Sequence, residues 1–409
     1  MDKGTTEPMS NGMNSIINPL IVKNGTVALP DRLLEGAVAV KDGRIDAVLG
    51  DEEGVAEWLR RHPDAESIDA RGRYVLPGLI DIHCDAIEKE VQPRPNTLFP
   101  LDMALLEFER KLPAHGITTM YHSLSLGVGL SLRGDHLLTG MVEHIRAYRS
   151  RRSMVRNKIH LRFEVSHLAG MAIVENYLNG NAIDYLSFMD HSPGQGQYRA
   201  PGSFERYVMK NQGVNAEEVR EIVADLTERR KRVDWEGLRR LGRLAGERGI
   251  AVASHDDDSA DKVEESIGYG VSVCEFPINL ETAMHAAKRG LHVCVGAPNV
   301  VRGVSHDKNL RALDAVSAGA ADILCSDYHP SSMLAAVFKL ADEGVAALPE
   351  AVRMATLHPA QALRADGELG SIEPGKAADL IVVDRFEGLP WVTDTIVGGQ
   401  AVYRASTRY

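Results

Sequence analysis

Eight short apolar runs recur through the middle of the chain, separated by longer stretches with helical patterning: LIDIHCD, GITTMYHSL, IHLRFEVS, IDYLSFMDH, GIAVASHDD, GVSVCEFPI, HVCVGAPN and ADILCSDY. Runs this short and this apolar suit strands covered on both faces, and parallel strands need a long crossover between them. Eight such units are the bookkeeping of an α/β fold, a TIM-type (β/α)8 barrel. In that architecture the chemistry sits at the C-terminal strand ends, and polar residues stand at most of the eight. A charged stretch from about Ala216 to Arg248 reads as a solvated pair of outer helices.

The two ends of the chain have another texture. LIVKNGTVALP, GAVAVKDGRIDAVLG and RYVLPG near the start are short β segments parted by Gly and Asp turns, and ADLIVVD and TDTIVGGQAVYRA near the end match them. Residues 17–75 with 366–409 are therefore expected to form a small β-sandwich domain flanking a barrel over 76–365, after a disordered start at 1–16. At 409 residues and 44% hydrophobic, the chain can bury both units.

Cys84, Cys274, Cys294 and Cys325 stand singly, without disulfide or zinc-ribbon spacing, which suits a reducing cytoplasm. The start shows no targeting pattern and no stretch approaches the length of a membrane span, so a soluble protein is expected. A net charge of −11 argues against nucleic-acid binding but leaves room for one small anionic substrate held by a local cationic cluster.

The strongest chemical signal is LPGLIDIHCD, where His83 and Asp85 lie two apart at a strand end and share a face. Cys84 between them points away and is assigned to packing. Alone, this pair reads as a structural hydrogen bond. Four other strand ends change the balance, because they deliver Glu164, His191, His255 and Asp327. Each has a structural reading of its own as a salt-bridge partner, core histidine or helix cap. Converging at one barrel mouth, the six suit one or two divalent metal ions, zinc first, with manganese or magnesium as alternatives. Asp256, Asp257 and Asp258 read as an acidic cluster at a helix N-terminus, from which one residue could orient an imidazole.

The PGLIDIH and GSIEPGKAADLIVVD segments resemble the first-strand motif and the C-terminal return of the amidohydrolase superfamily. That resemblance implies metal ligation by His83, Asp85, Glu164, His191, His255 and Asp327, with Asp327 also the catalytic proton acceptor. Asp85 departs from the pattern, which usually has a second histidine there. DIHCDAIEKEVQPRP, SFMDHSPGQGQY, ASHDDD, GAPNVVRGVSHDKN and CSDYHPSSML are similar to a narrower branch, the diphosphatases of the carbon–phosphorus lyase pathway. The branch implies hydrolysis of α-D-ribose 1-methylphosphonate 5-triphosphate to the 5-phosphate and pyrophosphate.

The residues agree with an anionic substrate. Asn299, Arg302, Ser305, His306 and Lys308 fall in one Gly-containing loop after a barrel strand, a donor-rich surface for phosphate oxygens. Gln195 and His329 are further substrate-binding candidates, while Lys89, Arg94 and Glu275 are left open between mouth and surface. Two other functions remain: hydrolysis or deamination of a cyclic substrate, and a non-catalytic scaffold. Analogy with similar barrels allows a homodimer.

Overall fold

A computed structural model describes residues 17–94, 97–127, 135–199, 201–212, 215–305 and 309–406. The expected disordered start at 1–16 lies outside them. Among the described residues, sixteen strands form two sheets. The chain first lays down β1 (Leu20–Ala28), β2 (Leu33–Lys41), β3 (Arg44–Leu49), β4 (Glu66–Asp69) and β5 (Tyr74–Pro77). The barrel strands follow: β6 (Leu79–Cys84), β7 (Ile117–Leu126), β8 (Arg156–Glu164), β9 (Tyr185–Met189), β10 (Ala251–His255), β11 (Val273–Glu275), β12 (His292–Gly296) and β13 (Ile323–Cys325). The chain then returns to the first sheet through β14 (Leu380–Phe386), β15 (Leu389–Val397) and β16 (Gln400–Arg404).

The barrel strands pair in sequence order, all parallel, from β6 to β13. A parallel bridge between Cys84 and Asp327 joins the last strand to the first, so the eight expected runs close into a ring. Inside it pack Ile80, Ile82, Tyr121, Tyr185, Ala253, Val273, Cys294 and Cys325. Cys84 instead joins the outer layer between strands and helices, the packing role expected of it. With Ile82 inside and Cys84 outside, regular alternation would turn His83 outward. The pairing of β6 with β7 slips between Asp81 and Cys84, and this irregularity lets His83 face inward.

The small sheet runs β16-β15-β14-β5-β1-β2-β3, with β4 branching from β1, so both chain ends share one hydrogen-bonded sheet. Val22, Val38, Val40, Val75, Leu380, Val382 and Ile396 form its main apolar layer. The charged stretch after Ala216 is a helix pair, Ala216–Arg230 and Trp235–Glu247, but the second is half-buried through Leu238, Leu241 and Ala245. No helix among the described residues is long and apolar enough to cross a membrane.

The two units are stitched at the N-terminal side of the barrel. Asp379, ahead of β14, accepts from Arg156 Nε at 2.8 Å, Arg156 Nη2 at 3.0 Å and Gly398 N at 2.7 Å. At Gly78, between β5 and β6, a Cβ would fall 2.2 Å from the Thr118 hydroxyl oxygen, so the chain can pass there only without a side chain. Removing the carboxylate by Asp379→Ala leaves a partly buried guanidinium and a backbone N–H without their acceptor. The expected loss is about 2–4 kcal/mol in equilibrium urea unfolding.

Candidate metal centre

The C-terminal strand ends bring the expected side chains to one mouth. β8 projects His160, Arg162 and Glu164 on alternate residues into the barrel. Glu164 accepts the backbone N–H of His191 at 3.0 Å and lies 3.0 Å from its Nδ1, fixing the ring where the chain leaves β9. At the end of β10, His255 Nδ1 lies 3.3 Å from Asp256 Oδ2, and His191 Nε2 approaches the same oxygen at 3.8 Å. Neither His255 Nδ1 nor Asp256 Oδ2 has a hydrogen bond of good geometry among the described residues, although both are buried. Buried imidazole and carboxylate atoms that face one another in this way fit a shared cation.

Among the described residues, two groups have ligand atoms mutually within 4.8 Å: His191 with His255 and Asp256, and His83 with His160 and Glu275. Their chemistry differs. Glu275 is fully buried, accepts from the Tyr185 hydroxyl at 2.9 Å and the Ser187 hydroxyl at 2.8 Å, and lies 3.1 Å from His83 Nδ1. His160 is held by Ser123 and Ser187. In the second group Glu275 and His160 are thus largely committed to internal hydrogen bonds beneath His83, whose Nδ1 is buried with no hydrogen-bond partner among the described residues. The first fits a divalent ion of borderline hardness, with imidazole and carboxylate donors together.

Asp85 stands across from Arg162, whose Nη1 is 3.8 Å from its Oδ2. The last-strand residue Asp327 is tied by its backbone to both ends of the first motif, donating to the His83 carbonyl at 2.9 Å and accepting from the Asp85 N–H at 2.8 Å. Burial first, then the Asp85 carboxylate, push the Asp327 carboxyl up to about 7. Beneath it Asp81 accepts from the backbone of Ser326 at 3.0 Å, and burial raises its carboxyl to about 6. Burial and the Arg162 charge hold His83 well below the usual imidazole range, so it is neutral at pH 7. At Asp256 burial acts upward, but His255, His191 and Arg162 outweigh it and keep the carboxyl low.

The expected substrate-binding residues are less concentrated. Asn299 spends its side chain on the loop itself, donating to Leu310 O at 3.0 Å and accepting from Ala312 N at 3.1 Å. Gln195 accepts from Arg230 at 2.8 Å and donates to Gly194 O at 2.9 Å. Arg302 is exposed at the end of the short helix Ala297–Arg302, directly after β12, and Ser305 lies just beyond it beside Asn309 and Arg311. His306 and Lys308 lie outside the described residues. His329 is exposed and contacts the Ser331 hydroxyl at 3.1 Å. Of the residues left open, Glu275 is inside the barrel, Lys89 lies over the Tyr328 ring at 5.5 Å, and Arg94 is exposed.

Sequence reasoning passed over Arg162 and Asp81, and it placed the acidic run at a helix N-terminus while allowing that one residue could orient an imidazole, the position Asp256 takes beside His255. The helix after it starts at Ala260 and is capped by Ser259, whereas Asp256 is buried at the mouth and Asp257 is buried among Ser254, Ser266 and Cys274. The signal for Arg162 was present: it sits two residues before Glu164 and two after His160, on one face of a strand.

The profile of the amidohydrolase family matches residues 236–402. A protein of Escherichia coli (strain K12), alpha-D-ribose 1-methylphosphonate 5-triphosphate diphosphatase, is 33% identical over 90% of this chain and 95% of its own. Imidazolonepropionase of Symbiobacterium thermophilum is 25% identical over 85% of this chain and 83% of its own. Among solved structures, L-hydantoinase from Arthrobacter aurescens superposes with a TM-score of 0.61 at 16% identity, covering 94% of this chain and 96% of that one. N-acetylglucosamine-6-phosphate deacetylase from Pasteurella multocida gives 0.57 at 17% identity, covering 94% and 99%.

The raised carboxyls set a pH dependence for the metal-free protein. Because Asp327 titrates near 7 when folded and near 3.8 otherwise, the folded state binds its proton more tightly. Its contribution to stability is therefore greatest below about pH 4, falls as the pH rises toward 7, and is level beyond. Asp327→Asn is expected to flatten the fall by about 2–4 kcal/mol in urea unfolding at pH 5 against pH 8. Parallel pH profiles for the two proteins would count against the buried acid pair.

Proposed function

The chain belongs to the amidohydrolase family, and from that premise we propose that it is a divalent-metal-dependent diphosphatase that hydrolyses α-D-ribose 1-methylphosphonate 5-triphosphate to the 5-phosphate and pyrophosphate. The observation that carries this reading is the similarity to the E. coli diphosphatase, which runs nearly end to end on both chains. Members of the family are typically divalent-metal dependent, and the mouth offers a fitting donor set. Zinc is the ion we propose, because two imidazoles and a carboxylate make the best-formed group.

His191, His255 and Asp256 would hold the ion, with His83, Asp85, Glu164 and Asp327 around them as the further ligands proposed from the family pattern. When bound, a divalent ion supplies Lewis acidity toward phosphoryl oxygens and lowers the pKa of water toward about 7. The chain's own part is orientation and proton handling. Glu164 fixes the His191 ring, and Glu275 lies 3.1 Å from His83 Nδ1. Asp327, buried at the mouth beside Asp85, is the carboxylate that would take a proton from the attacking water and release it afterward. Arg302, within the expected phosphate loop, is exposed at the end of its short helix. Four unpaired, buried cysteines support a reducing compartment, for which we propose the cytoplasm.

The test is turnover by the metal-loaded protein, followed as pyrophosphate release, beside ring opening of hydantoin and dihydroorotate. Pyrophosphate release with no ring opening is expected, and the reverse pattern would transfer the chain to the cyclic-amide branch of its family. In the same assay Asp327→Asn should lower kcat by about 100-fold or more, the usual scale of a general base. A variant within about tenfold of the parent would remove Asp327 from the proton path.

A further inference from the structure

Arg162 is a buried cation without an adequate partner. It is 5% exposed, and its guanidinium lies between two functional elements, with Nη1 3.8 Å from Asp85 Oδ2 and Nη2 3.3 Å from His255 Nε2. Its Nε is buried with no hydrogen-bond partner among the described residues. A guanidinium carries five N–H donors and stays charged, so a buried one is ordinarily saturated by carboxylates or carbonyls.

The same protein shows what a structural arginine looks like. Arg156, six residues earlier on β8, grips Asp379 with two bonds at 2.8 and 3.0 Å. Such charge-assisted pairs settle near 2.7–2.9 Å because both ions gain from close approach. Asp85 stays a full ångström farther from Arg162, although it is the nearest carboxylate offered to that side chain by an ion pair. A loose contact in so dry a place marks a group held ready for another anion.

Its position says which anion. Arg162 sits one inward step below Glu164 on β8, beside His255 and facing Asp85, so its donors open on the atoms around the candidate ion. Beside the candidate ion, a fixed positive charge further offsets the repulsion that the carboxylates of the mouth exert on a phosphate. The exposed loop arginine at the rim is free to stay in water, whereas a desolvated guanidinium at the reacting centre gains most from an oxyanion.

We propose that Arg162 is an anion-binding residue of the active site, contacting a phosphoryl oxygen of the substrate and, in its absence, resting against Asp85. Arrival of the phosphate supplies Nε and the Nη groups with the acceptors they lack, and frees Asp85 for the ion. The proposal deepens the reading of a phosphorylated substrate and rests on it.

The probe is inorganic pyrophosphate, titrated calorimetrically into the metal-loaded protein, with metal content measured on the same samples. Arg162→Met should weaken binding by about 10- to 100-fold with metal content unchanged, the scale of one or two charge-assisted hydrogen bonds. Arg162→Lys, which keeps the charge but not the fork, should fall between and guards against a folding defect in the first variant. Equal affinity in parent and Arg162→Met overturns the proposal, as does a parent that binds no pyrophosphate. So does an affinity loss in Arg162→Met that vanishes once the metal is resaturated, since Arg162 would then serve only the ion. The two readings separate cleanly. A parent that binds pyrophosphate through Arg162 but does not turn over the ribose triphosphate leaves the anion site standing and removes the diphosphatase, while turnover insensitive to Arg162→Met does the opposite.

Discussion

Closure of the barrel between its first and last strands governs everything at the mouth. Two backbone hydrogen bonds make that seam, from Asp327 N–H to the His83 carbonyl at 2.9 Å and from Asp85 N–H to the Asp327 carbonyl at 2.8 Å. They bring two carboxylates, 242 residues apart in the chain, into electrostatic contact. Burial first, and then this contact, raise the carboxyl of Asp327 in the metal-free protein. Asp81 reinforces the seam from below by accepting the Ser326 N–H. The closing hydrogen bonds and the acid–base chemistry thus share residues.

The exits of the strands carry visible cost. Asp256 after β10, Phe276 after β11 and Asp327 after β13 all take left-handed backbone conformations, at φ of 60°, 54° and 58°. Aspartate tolerates that region through its short polar side chain, but phenylalanine does not, and each such residue costs on the order of 1–3 kcal/mol. The strain turns the chain sharply where it leaves the ring, setting Asp256 beside His255 and Phe276 against the rings of His83 and His255. Phe276 thereby supplies an apolar wall to a site otherwise built of ions, and a drier wall strengthens every charge interaction next to it.

Most of the framework was legible because parallel barrel strands are buried on both faces and must therefore be written as apolar runs. The same rule exposed His83, Asp85, Glu164, His191, His255 and Asp327 as polar ends of apolar strands. It hid Arg162 and Asp81, which lie inside such runs and read as noise until the inward alternation is counted. The inward turn of His83 depends on a slip in strand pairing that no local pattern announces. Asn299 and Gln195 looked like free donors because their actual partners, the backbone of Leu310 and Ala312 and the side chain of Arg230, are set by loop folding and by a helix from elsewhere in the chain. The acidic run after His255 was read as a cluster at a helix N-terminus because position alone cannot separate such a cluster from buried carboxylates; Ser259 caps that helix, and Asp256 lies beside the His255 ring.

A mouth with this many carboxylates is stable only if cations share it, and the account stands on a divalent ion among His191, His255 and Asp256. Anomalous diffraction from metal-loaded crystals, collected at the absorption edge of the ion, locates it directly. The account predicts a peak about 2.0–2.2 Å from a His191 nitrogen and an Asp256 oxygen. A crystal carrying stoichiometric metal with no peak at the barrel mouth would contradict it.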